Sequence, residues 1–180
     1  MKVYAFLANG FEEIEAITPV DLLRRAGVEV CTVSVHETLS VTGAHGMTLQ
    51  ADALYDECNF ADADLLFLPG GMPGTTNLES HEGLCSLLRQ HNAEGKLIAA
   101  ICAAPSILGK LGILEGKKAT CYPGFECHLG TSDTEASVVI SENITTGEGP
   151  GAAYDFALDL IELLTDEETS QRIGEETMYR

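Results

Sequence analysis

The sequence predicts an α/β fold, a mostly parallel sheet with helices on both faces. Two observations carry that expectation. Short apolar runs alternate with amphipathic stretches along the whole 180-residue chain, the pattern of strands and crossover helices in a sheet buried on both sides. Three glycine-rich or reactive segments, Asn9-Gly10, Pro69-Gly70-Gly71 and Cys102, each follow such an apolar run. Parallel sheets gather ligands beyond the carboxyl ends of their strands, so topology alone locates a site. The length suits one domain, residues 1–180, with a core that needs no disulfide or metal staple.

The elements follow in order. Residues 3–8 read as a buried strand that Asn9-Gly10 breaks. A helix is predicted over 12–26, kinked or broken near Pro19 and stopped at Gly27. Residues 28–35 make a second strand, and 39–41 with 47–51 a small hairpin around Gly43 and Gly46. A strand over 64–68 runs into Pro69-Gly70-Gly71, and an amphipathic helix covers 80–92. Residues 97–101 form a fully apolar strand that leads into Cys102 and a helix over 103–110. Strands are expected at 118–121, 137–140 and 144–146. Gly149-Pro150-Gly151 opens a helix reaching residue 164, and one more covers 167–174.

Charge excludes several partners. With 28 acidic and 10 basic side chains the formal net charge is −18, which repels nucleic-acid phosphates and anionic membrane surfaces. Neither nucleic acid nor membrane is expected as a partner. No apolar stretch approaches the ~20 residues of a membrane span, and residues 1–8 are too short and lack the cleavage site of a signal peptide. A cytoplasmic protein is expected, in which the six cysteines stay reduced. No C-x-x-C occurs, and Cys121, Cys127 and His128 lack a fourth ligand and a suitable spacing. No metal is expected.

The chemistry concentrates in Leu97-Ile98-Ala99-Ala100-Ile101-Cys102-Ala103-Ala104-Pro105. Small residues after a buried strand allow a turn tight enough to push the cysteine into a cleft, as at a nucleophile elbow. A thiol at a helix start faces free backbone N–H groups, which favour the thiolate. The N–H groups of Gly70 and Gly71, with that of Ala103, are placed to hold a developing oxyanion. Glu12 and Glu13 read as ordinary acidic complements of a first helical turn. Glu15 is different: it falls on the face shared with Phe11, Ile14 and Thr18, where a carboxyl keeps its proton and can donate or shuttle it.

These segments resemble the ThiJ/PfpI family, in the branch of the parkinsonism-associated protein deglycase. The resemblance rests on Gly10-Phe11-Glu12-Glu13-Ile14-Glu15-Ala16, Pro19-Val20-Asp21-Leu22-Leu23-Arg24-Arg25-Ala26-Gly27, Leu68-Pro69-Gly70-Gly71, the cysteine segment and Gly149-Pro150-Gly151, in order and over nearly the whole chain. It implies a flavodoxin-like three-layer sandwich that forms a homodimer, with Cys102 as nucleophile, Glu15 as its protonated partner, and Gly71 and Ala103 as the oxyanion site. Tyr122 and Pro150 would line the same pocket, and His45 would face it from the hairpin or from a dimer mate.

The departures are specific. Tyr122-Pro123 stands where this branch often has His-Pro, and a phenol is a poor base near neutral pH. Ala103 stands where protease-like members place a histidine. His128, the one histidine after Cys102, lacks the H-x-E spacing of class I glutamine amidotransferases. The expectation is therefore an enzyme that needs no cofactor and acts on small reactive aldehydes, of the glyoxalase or deglycase type. The alternative is a non-enzymatic oxidative-stress sensor or redox-dependent chaperone that uses Cys102 oxidation.

Overall fold

The computed structural model describes residues 1–130 and 136–179. In chain order the elements are β1 (Lys2–Leu7), α1 (Glu13–Arg25), β2 (Glu29–Ser34), β3 (Ser40–Thr42), β4 (Thr48–Gln50), β5 (Ala53–Leu54), β6 (Leu65–Leu68), α2 (Gly74–Glu79), α3 (Glu82–Ala93), β7 (Leu97–Ile101), α4 (Pro105–Lys110), β8 (Val138–Ser141), β9 (Ile144–Gly147), α5 (Ala153–Leu164) and α6 (Glu167–Glu176). Seven strands form one sheet in the order β5-β2-β1-β6-β7-β9-β8, and β3 with β4 makes a separate hairpin. All neighbours in the large sheet run parallel except β8 and β9.

The alternation of side chains along each strand divides the core. Tyr4, Phe6, Leu66, Leu68, Ile98 and Ala100 point to one face, where Leu84 and Leu88 of α3 and Ile107 and Leu108 of α4 cover them. Val3, Ala5, Phe67, Ala99 and Ile101 point to the other, against Leu22 and Leu23 of α1, Phe156, Leu160 and Ile161 of α5 and Ile173 of α6. The result is the expected three-layer sandwich. From β1 the chain first moves outward to β2 and then crosses back to β6 on the opposite side. That reversal opens a crevice at the carboxyl ends of the central strands, where α1 begins, β6 runs into Gly70 and β7 into Cys102.

Three local expectations need correction, and one element, α2, has no counterpart among the expected ones. Helix α1 runs through Pro19 as one element. The ring removes only the bond to the Glu15 carbonyl, and its burial within the fold holds the helix together. Residues 118–121 are not a strand, and among the described residues no ladder joins them to the sheet. The segment is held instead by Lys118 N–H on Ser141 Oγ at 3.3 Å and Thr120 N–H on Thr146 Oγ1 at 2.9 Å. Helix α4 starts at Pro105, not at residue 103, so residues 102–104 form a turn. Helix α2 went unpredicted, since Gly-Thr-Thr-Asn is a weak helix former.

Candidate active site

Cys102 has a left-handed backbone, φ 67°, a conformation a side-chain-bearing residue adopts only when its surroundings impose it. The surroundings do so at both ends of the residue. Its N–H donates to the Gly147 carbonyl of β9 at 2.9 Å, and its own carbonyl accepts from Tyr122 N–H at 2.8 Å. The chain therefore turns sharply off β7 and directs the thiol into the crevice.

Glu15 reaches the same point from α1. It is fully buried. Its Oε2 accepts from Gly70 N–H at 3.0 Å, while Glu12 N–H donates to the Gly70 carbonyl at 2.9 Å. This reciprocal bridge ties the start of α1 to the end of β6. It also requires glycine at position 70, where a Cβ would sit 2.6 Å from both Cys102 Cβ and Glu15 Oε2. The second carboxyl oxygen, Oε1, is buried and accepts no backbone or oxygen-borne hydrogen; the weak donor that faces the carboxyl is the Cys102 thiol. Burial pushes the Glu15 carboxyl up to about 7. Burial, followed by the Glu15 charge, pushes the Cys102 thiol up to about 12. This corrects the expectation of a thiol poised as thiolate by its position alone. The two groups cannot both ionise in so small a space, so they titrate as a pair sharing protons. Against burial, the N–H groups of Gly71 and Ala103 act on the sulfur and favour its charged form. Neither N–H is engaged in the backbone bonds of the surrounding turns.

One cleft of about 490 Å³ gathers Cys102, Glu15, Gly71, Ala103, Tyr122, His45 and Pro150. Gly70 stands behind it, holding Glu15. The structure thus brings the residues singled out in the sequence to one place. Met72, Phe125 and Ala44 also face the cleft, and no pattern in the sequence marked them; Ile14, grouped with Glu15 by its spacing, faces it too.

The reading as an ordinary complement of the helix start holds for Glu12, which caps α1, and fails for Glu13. Both are buried. Glu12 caps α1 by accepting from Ile14 N–H at 3.3 Å. Glu13 accepts from the backbone N–H groups of His45 at 2.8 Å and Met47 at 3.3 Å, and lies 2.8 Å from His45 Nδ1. Burial alone would raise the Glu13 carboxyl, but these hydrogen bonds outweigh it and hold the group below its usual range. His45 is pushed up in turn by Glu13 and then Glu12, whose Oε2 lies 3.1 Å from Nδ1. The helix start thereby clamps the loop between β3 and β4 over the cleft. His45 Nδ1 and the carboxylate oxygens lie within 4.8 Å of one another, but they are satisfied by these internal bonds, and the trio is a hydrogen-bonded clamp. Ile14, assigned to the face of Glu15, is instead exposed.

Comparison with known proteins agrees with this geometry. Over nearly its full length the fold superposes on the oxidized form of Toxoplasma gondii DJ-1, with a TM-score of 0.95, 40% identity, and coverage of 99% of this chain and 98% of that one. A protein called DJ-1 homolog B of Arabidopsis thaliana is 38% identical over 96% of this chain, which spans only 40% of the plant protein. A protein of Pyrococcus horikoshii named a deglycase is 35% identical over 91% of this chain and 99% of its own length. The model of the DJ-1/PfpI family matches residues 1–163. The chain belongs to the DJ-1/PfpI family.

Proposed function

We propose that this chain is a cysteine-dependent enzyme that converts small reactive aldehydes, methylglyoxal and glyoxal, into hydroxy acids, using only its own side chains. The observation that carries the reading is the buried Glu15 carboxyl set against a thiol held at a strained turn, with Oε1 outside the backbone hydrogen bonds. A buried oxygen faced only by a weak donor costs free energy in the resting protein. A proton passing between it and a substrate at Sγ would satisfy it.

The pair shares one proton, which rests on Cys102 because the thiol lies at about 12 and the carboxyl at about 7, and the Glu15 carboxylate takes it as Sγ attacks. Sγ adds to the aldehyde carbon, and the carbonyl oxygen becomes an oxyanion held by the Gly71 and Ala103 N–H groups before taking the Glu15 proton. The resulting Glu15 carboxylate carries a proton from the former aldehyde carbon to its neighbour while the hydroxyl hydrogen passes from the first oxygen to the second, so the hemithioacetal becomes a thioester by way of an enediol. Water then releases the hydroxy acid and the thiolate. Several curated relatives are named deglycases, and removal of an aldehyde from a glycated amine or thiol would use the same nucleophile.

The test is consumption of methylglyoxal and glyoxal by the purified protein without glutathione. Multiple turnovers are expected, abolished in Cys102→Ser and reduced about 10²–10⁴-fold in Glu15→Gln. Absence of turnover, with Cys102 oxidising faster than the other cysteines under mild peroxide, would favour the sensor instead. Both readings draw on the thiolate, so the raised thiol does not choose between them, and turnover does.

A further inference from the structure

Thioester release needs a base to activate water, and Glu15 is badly placed for it. Glu15 is fully buried, on the inner side of the thiol. Tyr122, which also lines the cleft, offers a phenol hydroxyl and no basic nitrogen. The water must come from the open side of the cleft, where the imidazole of His45 is 69% exposed.

We infer that His45 is the general base of the hydrolytic half-reaction, and that Glu13 is its positioning residue. This rests on the aldehyde reading above. The loop between β3 and β4 is fastened to α1 by two backbone N–H bonds to Glu13 Oε1, so the ring is carried on an anchored support. Nδ1 lies 2.8 Å from Glu13 Oε2 and 3.1 Å from Glu12 Oε2. Two acceptors at one nitrogen assign the hydrogen to Nδ1 and leave Nε2 with its lone pair. A carboxylate that fixes a histidine's tautomer and strengthens its other nitrogen as a base is the arrangement of hydrolytic triads. Here the carboxylate comes from the first helical turn and the histidine from the hairpin.

The step balances. Nε2 takes a proton from water as the water oxygen bonds to the acyl carbon. The tetrahedral oxyanion rests on the Gly71 and Ala103 N–H groups. The C–S bond then breaks, its electron pair leaves with Sγ, and the hydroxy acid departs. The imidazolium returns its proton to solvent. The groups facing His45 are Glu12 and Glu13 of α1, with Cys102, Glu15 and Tyr122 across the cleft.

The test is intact-mass analysis during methylglyoxal turnover, with a pH–rate profile. His45→Ala and His45→Gln should each lower kcat by about 10²–10⁴-fold and accumulate protein heavier by one lactoyl group on Cys102, released by hydroxylamine. Wild type and Glu15→Gln should accumulate none. Deacylation in wild type should slow as pH falls through a value above the ordinary imidazole range. Glu13→Gln should move that limb to lower pH; if this variant folds poorly, Glu12→Gln gives a smaller shift in the same direction. Unchanged kcat and pH profile in both His45 variants would overturn the inference, as would slower turnover without the acyl adduct. A wild-type protein that consumes no aldehyde, with no adduct in any variant, would overturn the aldehyde reading and this inference together.

Discussion

Helices α1 and α5 pack against each other on one face of the sheet, yet they obey opposite rules. Helix α5 buries Ala153, Phe156, Ala157, Leu158, Leu160, Ile161 and Leu164, an apolar stripe turned to the core as an amphipathic helix should be. The first turns of α1 invert that rule: Glu13 and Glu15 are buried, while Ile14 is 53% and Ile17 39% exposed. By its second half α1 returns to the ordinary pattern with Leu22 and Leu23 buried. Scaffold and site therefore share one face, and the break in pattern marks where one becomes the other. Real proteins depart from the packing rules where chemistry requires it.

The contrast is sharpest in stability. Phe156→Ala removes a fully buried ring that packs 5.7 Å, centroid to centroid, from Phe67, and should lose about 3–5 kcal/mol at every pH in urea unfolding. Glu15→Gln should act in the opposite sense. The folded carboxyl is raised to about 7, so its burial is fully tolerated below the ordinary carboxylate value. Stability is then lost as pH rises towards about 7. A glutamine escapes that loss, so the variant should match wild type near pH 4 and exceed it by up to about 3 kcal/mol above pH 7. A Glu15→Gln protein that is less stable than wild type at pH 8 would show that the two helices follow the same rule after all.

The same contrast explains what could be read from the sequence. Helix α5 and the apolar strands β1, β6 and β7 were legible because periodicity and burial agree in them. Cys102 and Glu15 were legible as exceptions, a cysteine before small residues and an acid one turn inside a helix. Glu13 was not, since an acid in a first turn is ordinary, and only the return of the hairpin loop over α1 gives it His45 to hold. Residues 118–121 looked like a strand because their side chains suit one. Their backbone is held instead by the hydroxyls of Ser141 and Thr146 on β8 and β9, which no local pattern records. The thiol was also misjudged: a helix start suggests a thiolate, whereas burial beside Glu15 opposes it.

A next prediction breaks the site and leaves the scaffold. Gly70→Ala adds one methyl group at a point 2.6 Å from Cys102 Cβ, 2.6 Å from Glu15 Oε2 and 2.9 Å from the Ile101 carbonyl. Glu15 must move away from the thiol to admit it. Displacements near 1 Å in a reacting constellation lower rates by about 10²-fold, roughly 2.7 kcal/mol in the barrier. Aldehyde turnover should fall by that factor, while circular dichroism of the folded protein is retained. Full activity in Gly70→Ala would mean that the Glu15–Cys102 spacing does not set the rate.

The smallest effect belongs to the exposed half of the inversion. Ile14→Ser with Ile17→Ser alters side chains that contribute little to the core, so unfolding of the isolated chain should change by no more than about 0.5 kcal/mol. Exposed isoleucines three residues apart form an apolar strip along α1, with Ile14 beside Glu12 and His45 at the mouth of the cleft. If the chain forms a homodimer, as the resemblance implies, this strip is the surface we expect it to use. Sedimentation should then show a dimer for wild type and a monomer for the double variant at equal concentration. Equal sedimentation of the two proteins would separate the two halves of the inversion: the buried acids would serve the cleft, and the isoleucines would be exposed only because the acids had taken the inner positions.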